Sequence, residues 1–190
     1  AQRQQWIRIL SELPPLPTTK AGDTTMLGLA ELNKSTPRNM ENGHLYAVWP
    51  YRLHGVTNGN LKLAKDSYAN RWHKGGPYQC WMNDTVFAAH CGDAKEATDH
   101  LAYRFVRTEG LRFPAFYTHG DWVPDLDNGA VCQNTIQSML MQCSGRKIVL
   151  LPAWPKEWNA SFKLHAPENT TVEGRVENGK LLDLKVTPES

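Results

Sequence analysis

The residues best able to do chemistry fall in two stretches. The first holds His119, Asp121, Trp122, Asp125 and Asp127. The second holds Glu41, His44, Tyr46, Trp49, Tyr51, Arg52 and His54. Carboxylates set beside aromatic rings suit acid–base work on a polar substrate that also offers an apolar face. Two carboxyl groups on either side of one bond can divide that work, one protonating the leaving group and the other activating a water. Asp127 is the first carboxylate to weigh for such a pair, and Glu41, three residues before His44, is the internal candidate for the acid. Asp84 lies in an apolar segment, where a carboxylate must be paired or line a site. Asp125 follows Pro124 and also reads as a turn residue.

Asp127 stands where a helix begins, with Asp127 or Asn128 as its cap. From Val131 the apolar positions Ile136, Met139, Leu140 and Cys143 recur at helical spacing, and Met141 widens the stripe. A helix this apolar is buried on most faces, so the carboxylates lie at the open end of a buried helix. A short apolar strand and a tryptophan bracketed by Pro152 and Pro155 follow. The stretch 39–56 reads either as a pocket wall or as an amphipathic helix ended by Pro50.

The remaining elements are read from periodicity and from Gly and Pro punctuation. A helix over 2–13 puts Trp6, Ile9, Leu10 and Leu13 on one face and ends at Pro14. The segment 20–38 is loop-like. Helices follow over 61–72, 78–91 and 94–108. Cys80 and Cys91 share their spacing with Cys132 and Cys143, close to three helical turns, so each pair falls on one helix face. With glycines after both, this predicts an internal helical repeat, better suited to a toroid than to a four-helix bundle. Beyond Pro155 the pattern alternates over 161–166, 171–176 and 181–186, and Asn178-Gly179 is a hairpin turn signal. The expected organisation is a mainly α segment over 1–155 and an antiparallel β module over 156–190.

Bulk composition narrows the function. The chain has 190 residues, 21 Lys+Arg against 19 Asp+Glu, and a net charge of +2. No basic block stands out, which argues against nucleic acid as the main partner. No apolar run approaches the roughly 18 residues of a membrane span. The four cysteines form no CxxC pair and read as small buried hydrophobes, so neither a metal nor a cofactor is expected.

Two strings carry a resemblance to a known family. His44–Pro50, H-L-Y-A-V-W-P, is similar to the H-L-F-G-L-Y-P of the α-L-fucosidase-type enzymes of glycoside hydrolase family 95 and related bacterial proteins. Asp127-Asn128-Gly129, then Met139–Gln142 and Ile148–Pro155, is similar to that family's D-G-N-F-G, M-L-L-Q and I-H-L-L-P-A-L-P. The resemblance covers the chain from about Asn39 to its end. It implies part of an (α/α)6 toroid of the six-hairpin glycosidase kind, followed by antiparallel β-strands. It also implies hydrolysis of a glycosidic bond, with inversion, on an oligo- or polysaccharide, and a periplasmic or secreted location. By it His44 contacts the sugar and Asp127 helps activate water. Two departures stand out: N-M-E-N-G-H-L replaces the family's H-R-H-x-S-H-L, and D-N-G-A-V replaces D-G-N-F-G. The family's general-acid glutamate lies upstream of these motifs, and nothing in 1–38 matches that region. The chain is therefore expected to be a piece of a larger enzyme, whose remainder is its partner. Tyr51, Trp81 and Trp122 are candidates to stack on a sugar face, with His119 and Asp125 as polar contacts. The competing reading is a carbohydrate-binding or structural piece that cleaves nothing. A third is a polysaccharide lyase using Tyr117, His119 and Arg112.

Overall fold

The computed structural model describes residues 2–31, 41–74, 81–106 and 126–188. Helix α1 spans Gln2–Glu12, and strands β1 (Thr18–Ala21) and β2 (Thr24–Leu27) follow it. A short 3-10 helix covers Gly43–Ala47. Then come α2 (Leu61–Ala69), α3 (Asp84–His90), α4 (Ala94–Val106) and α5 (Leu126–Leu140). Strands β3 (Met141–Ser144) and β4 (Lys147–Leu150) pair with each other, and β5 (Ala160–Ala166), β6 (Thr170–Glu177) and β7 (Lys180–Thr187) form one antiparallel sheet.

This arrangement corrects the expectation of a toroid. Among the described residues, five helices and three small antiparallel sheets make a mixed α and β fold. Three local causes account for it. The segment 20–38, read as a loop, begins with half a hairpin: Gly22, at φ +59, makes a two-residue turn between β1 and β2. The apolar run after Leu140 leaves the helix, and Met141↔Leu150 and Cys143↔Ile148 pair as strands around a left-handed Gly145. Cys143 therefore sits on a strand while Cys132 sits on α5, so the two do not share a helix face. Cys80 lies outside the described residues, so the repeat is overturned at its second cysteine pair alone. Finally, α1 is a helix as read, but no residue on it is buried.

Of the two readings of 39–56, the long amphipathic helix is not formed. Among its described residues only Gly43–Ala47 is helical, as a 3-10 turn, and the chain then runs through turns past Pro50. One core gathers the helices around it. Leu45 and Val48 pack with Ala64 and Tyr68 of α2, Phe87–Ala89 of α3, Ala97 and Leu101 of α4, and Cys132 and Met139 of α5. Asn60 caps α2 by accepting from the Leu63 N–H at 3.0 Å. Trp154 and Trp158 pack edge to face against this core, 5.5 Å between ring centroids, and the Trp154 Nε1 donates to the Trp158 carbonyl at 2.9 Å.

The C-terminal strands follow the alternation in the sequence. Glu177 pairs with Lys180, and Asn178 and Gly179 both have positive φ, the pattern of a type I′ turn. Val172 and Val176 of β6 are fully buried. Gly174 between them leaves room for the Phe162 ring, which a Cβ there would meet at 2.8 Å.

Candidate functional site

A polar network runs through the centre of the helical part. Asp84, at the start of α3, is 2% exposed, and Arg71, just past α2, is 6% exposed. The Arg71 Nε donates to Asp84 Oδ1 at 2.5 Å. Asn42 donates from its amide to both Asp84 oxygens, at 3.3 and 3.5 Å. The same Asn42 side chain donates to the His73 carbonyl and accepts from the His73 N–H. Arg71 lies 3.9 Å over the Tyr68 ring. The Tyr68 hydroxyl donates to Glu96 Oε2 at 3.0 Å, and His100 Nε2 lies 2.9 Å from that oxygen.

Arg104 of α4, almost wholly buried, continues this charge pattern. It donates to Asn128 Oδ1 at the start of α5 and to the Met82 carbonyl. A buried ion costs several kcal/mol unless opposite charge and hydrogen bonds meet it. Here two carboxylates, Asp84 and Glu96, stand against two guanidinium groups, Arg71 and Arg104.

The titration of these groups reports the same balance. Burial opposes charge on Arg71, yet Tyr68, Asp84 and Glu96 together raise its pKa. Burial pushes the Asp84 carboxyl up, while Arg71, Arg104 and Asn42 pull it back. These tendencies oppose each other across one contact. The 2.5 Å Arg71 bond and the two amide contacts decide for an ionised pair at neutral pH. Burial lowers His100 to about 4 despite the facing Glu96. The network opens onto a cleft of about 640 Å³ lined by Lys65, Tyr68, Arg71, Lys74, Asp93 and Glu96.

The residues singled out by sequence occupy the margins of this network. His44 is buried and packs edge-on to Trp72 with centroids 4.3 Å apart, and the Ser67 backbone lies near its ring without a hydrogen bond of good geometry. Burial lowers its pKa to about 4; the Ser67 backbone opposes that shift and the Arg71 charge adds to it. Glu41 is half-buried beside Tyr46, whose phenol is raised first by burial and then by the Glu41 charge. Asp127 is exposed in the first turn of α5. It is not the cap there, because the helix already includes Leu126; a carboxylate in the first turn still favours the helix dipole. Tyr51 is 69% exposed and Trp81 half-buried. His119, Trp122 and Asp125 lie outside the described residues, as do Asp121, Tyr117 and Arg112.

Sequence reasoning missed Asn42, Arg71 and Arg104, and took Asn128 only as a possible helix cap. Asn42 is the chain neighbour of Glu41, and Asn128 of Asp127. The available signal was charge in apolar surroundings: Arg71 beside Trp72, and Arg104 between Tyr103 and Phe105. Asp84 was noted, and it is paired. Of the cysteines, Cys91 and Cys132 are buried, and burial raises the free Cys91 thiol to about 12. That places it far from a reactive thiolate. No protein-family model matches this chain, and no curated protein is significantly similar to it.

Proposed function

We propose that the chain is a carbohydrate-processing piece of a glycoside hydrolase, with Asp127 activating the attacking water and Glu41 the internal acid candidate. The observation that carries this reading is the placement of their neighbours. Asn42 and Asn128 are both gripped by the buried ionic network, and Glu41 and Asp127 are the next residues along the chain. A backbone fixed by buried hydrogen bonds is what a catalytic carboxylate needs to keep its position. The motif resemblance at His44–Pro50 and Asp127–Pro155 supplies the substrate class. A glycan substrate goes with a periplasmic or secreted location and with a remainder of a parent chain.

The test is hydrolysis of a panel of aryl glycosides. Asp127→Asn is expected to lower kcat by about 10²-fold or more with KM little changed, the signature of a lost acid–base group. Unchanged turnover would remove Asp127 from the mechanism.

A second reading rests on the exposure of Asp127. The most firmly held polar groups are the amides and guanidinium groups, not the two carboxylates. On that reading the same surface binds glycan without cleaving it, and Asp127→Asn weakens binding while no variant shows turnover.

A further inference from the structure

A second cavity, of about 410 Å³, lies between the helical core and the C-terminal sheet. It is lined from one side by Trp49, Arg52, His90 and Gln142, and from the other by Lys163 and His165 of β5. Among the described residues, no Asp or Glu lines it.

Two residues on the same side of this lining hold buried side-chain polar atoms without a hydrogen-bond partner. His90 is 2% exposed and Gln142 is 3% exposed. The His90 Nε2 and the Gln142 Oε1 are both buried without a hydrogen-bond partner. A buried polar group without a partner is unfavourable, and a ligand that met these two would relieve that. The Gln142 amide nitrogen is already committed to the Ala89 and Ser138 carbonyls, at 2.8 and 2.9 Å. These bonds fix the amide's orientation and leave its oxygen as an acceptor. What that oxygen needs is a donor. Burial keeps the His90 imidazole neutral, so it offers one donor or one acceptor rather than a charge.

Charge comes from elsewhere in the lining. Arg52 forms no ion pair among the described residues; its closest polar partner is the Cys143 carbonyl at 3.5 Å. Lys163 shares its ammonium with Glu173 at 3.1 Å. The cavity therefore offers one uncommitted positive charge, which suits a single negative charge better than a phosphate dianion. A planar guanidinium matches the two oxygens of a carboxylate. Trp49 adds an aromatic surface for an apolar face.

We propose that this cavity binds a small polyhydroxylated carboxylate. The carboxylate sits on Arg52, a hydroxyl donates to Gln142, a second meets His90, and a C–H face lies on Trp49. The site is separate from Asp127 and Glu41, and the proposal stands whether or not the chain cleaves glycosides.

Calorimetric titration of the whole chain with D-glucuronate, D-glucose and inorganic phosphate tests it. Glucuronate is expected to bind at least about tenfold more tightly than either of the others, since glucose lacks the charge and phosphate lacks the apolar face and the hydroxyl pattern. Arg52→Gln, at an exposed position, is expected to cost glucuronate about tenfold or more and to leave the melting temperature and circular dichroism unchanged. The proposal is overturned if glucuronate gives no heat, if glucose or phosphate matches it, or if Arg52→Gln binds like the parent.

Discussion

Arg71 and Asp84 meet at 2.5 Å where almost no water reaches either of them. The contact ties the end of α2 to the start of α3. A buried pair of this kind is dear to break, because the surviving partner keeps its charge and loses its counter-ion. Asp84→Asn is expected to destabilise the fold by about 3–5 kcal/mol, read as a lower urea midpoint. A paired exchange, Asp84→Leu with Arg71→Met, is expected to cost less than the two single changes added together. Additive losses would mean that the pair does not act as a unit.

Acid should weaken the fold before any surface carboxylate matters. Burial depresses His44 to about 4 and His90 to about 3. The unfolded chain takes up these protons near the ordinary histidine value of about 6.5, so between there and the depressed values it binds more protons than the folded chain. Stability is therefore full above about 6.5 and falls as pH drops toward the folded values. Urea midpoints measured from pH 7.5 down to 4.5 are expected to decline, and His44→Leu is expected to decline less steeply. A flat profile in the parent chain would contradict the burial of these imidazoles.

Glycines separate strain from tolerance. At Gly59, φ is +58, and a Cβ would lie 2.0 Å from the Leu53 carbonyl oxygen and 2.5 Å from His54 Nδ1. That His54 nitrogen accepts from the Asn60 N–H at 2.9 Å, next to the cap of α2. Gly59→Ala is expected to cost about 2–3 kcal/mol or more. Gly145 has a similar φ of +55 but open space around it, so Gly145→Ala is expected to cost about 1 kcal/mol. Equal losses in thermal melts would show that the crowding at Gly59 is not felt.

How much of this could be read from the sequence depended on whether the cause was local. The Asn178-Gly179 turn and the alternation around it are set by residues within a few positions, and they form β6 and β7 as read. Helices α2 and α4 follow their 3.6-residue pattern. The run Met139–Ser144 shows the limit: its apolar spacing fits a helix or a strand, and the choice is made by pairing with Lys147–Leu150 across Gly145. The site was less legible. Asp84 was readable as a carboxylate in need of a partner, but the partners are set by three-dimensional packing: Asn42 is far away in sequence, and Arg71 lies just past the end of α2. The unmet atoms of His90 and Gln142 have no sequence signature at all.

The clamp at the head of α5 has its own test. Asn128 accepts from Arg104, and both are buried. Asn128 is a positioning residue for Asp127 in the proposed mechanism, so Asn128→Ala should lower kcat on an aryl glycoside together with stability. Asn128→Ser, which keeps a short acceptor, should restore part of kcat. A variant that loses stability but keeps full kcat at low temperature would leave Asn128 with a structural role alone.

The role proposed for Asp127 is activation of the attacking water, and kcat of Asp127→Ala on the best aryl glycoside, with and without added azide, tests it. A fall of about 10²-fold or more is expected, with part of the loss recovered as azide attacks the sugar in place of the activated water. A variant that turns over at the parent rate, with azide making no difference, would contradict it.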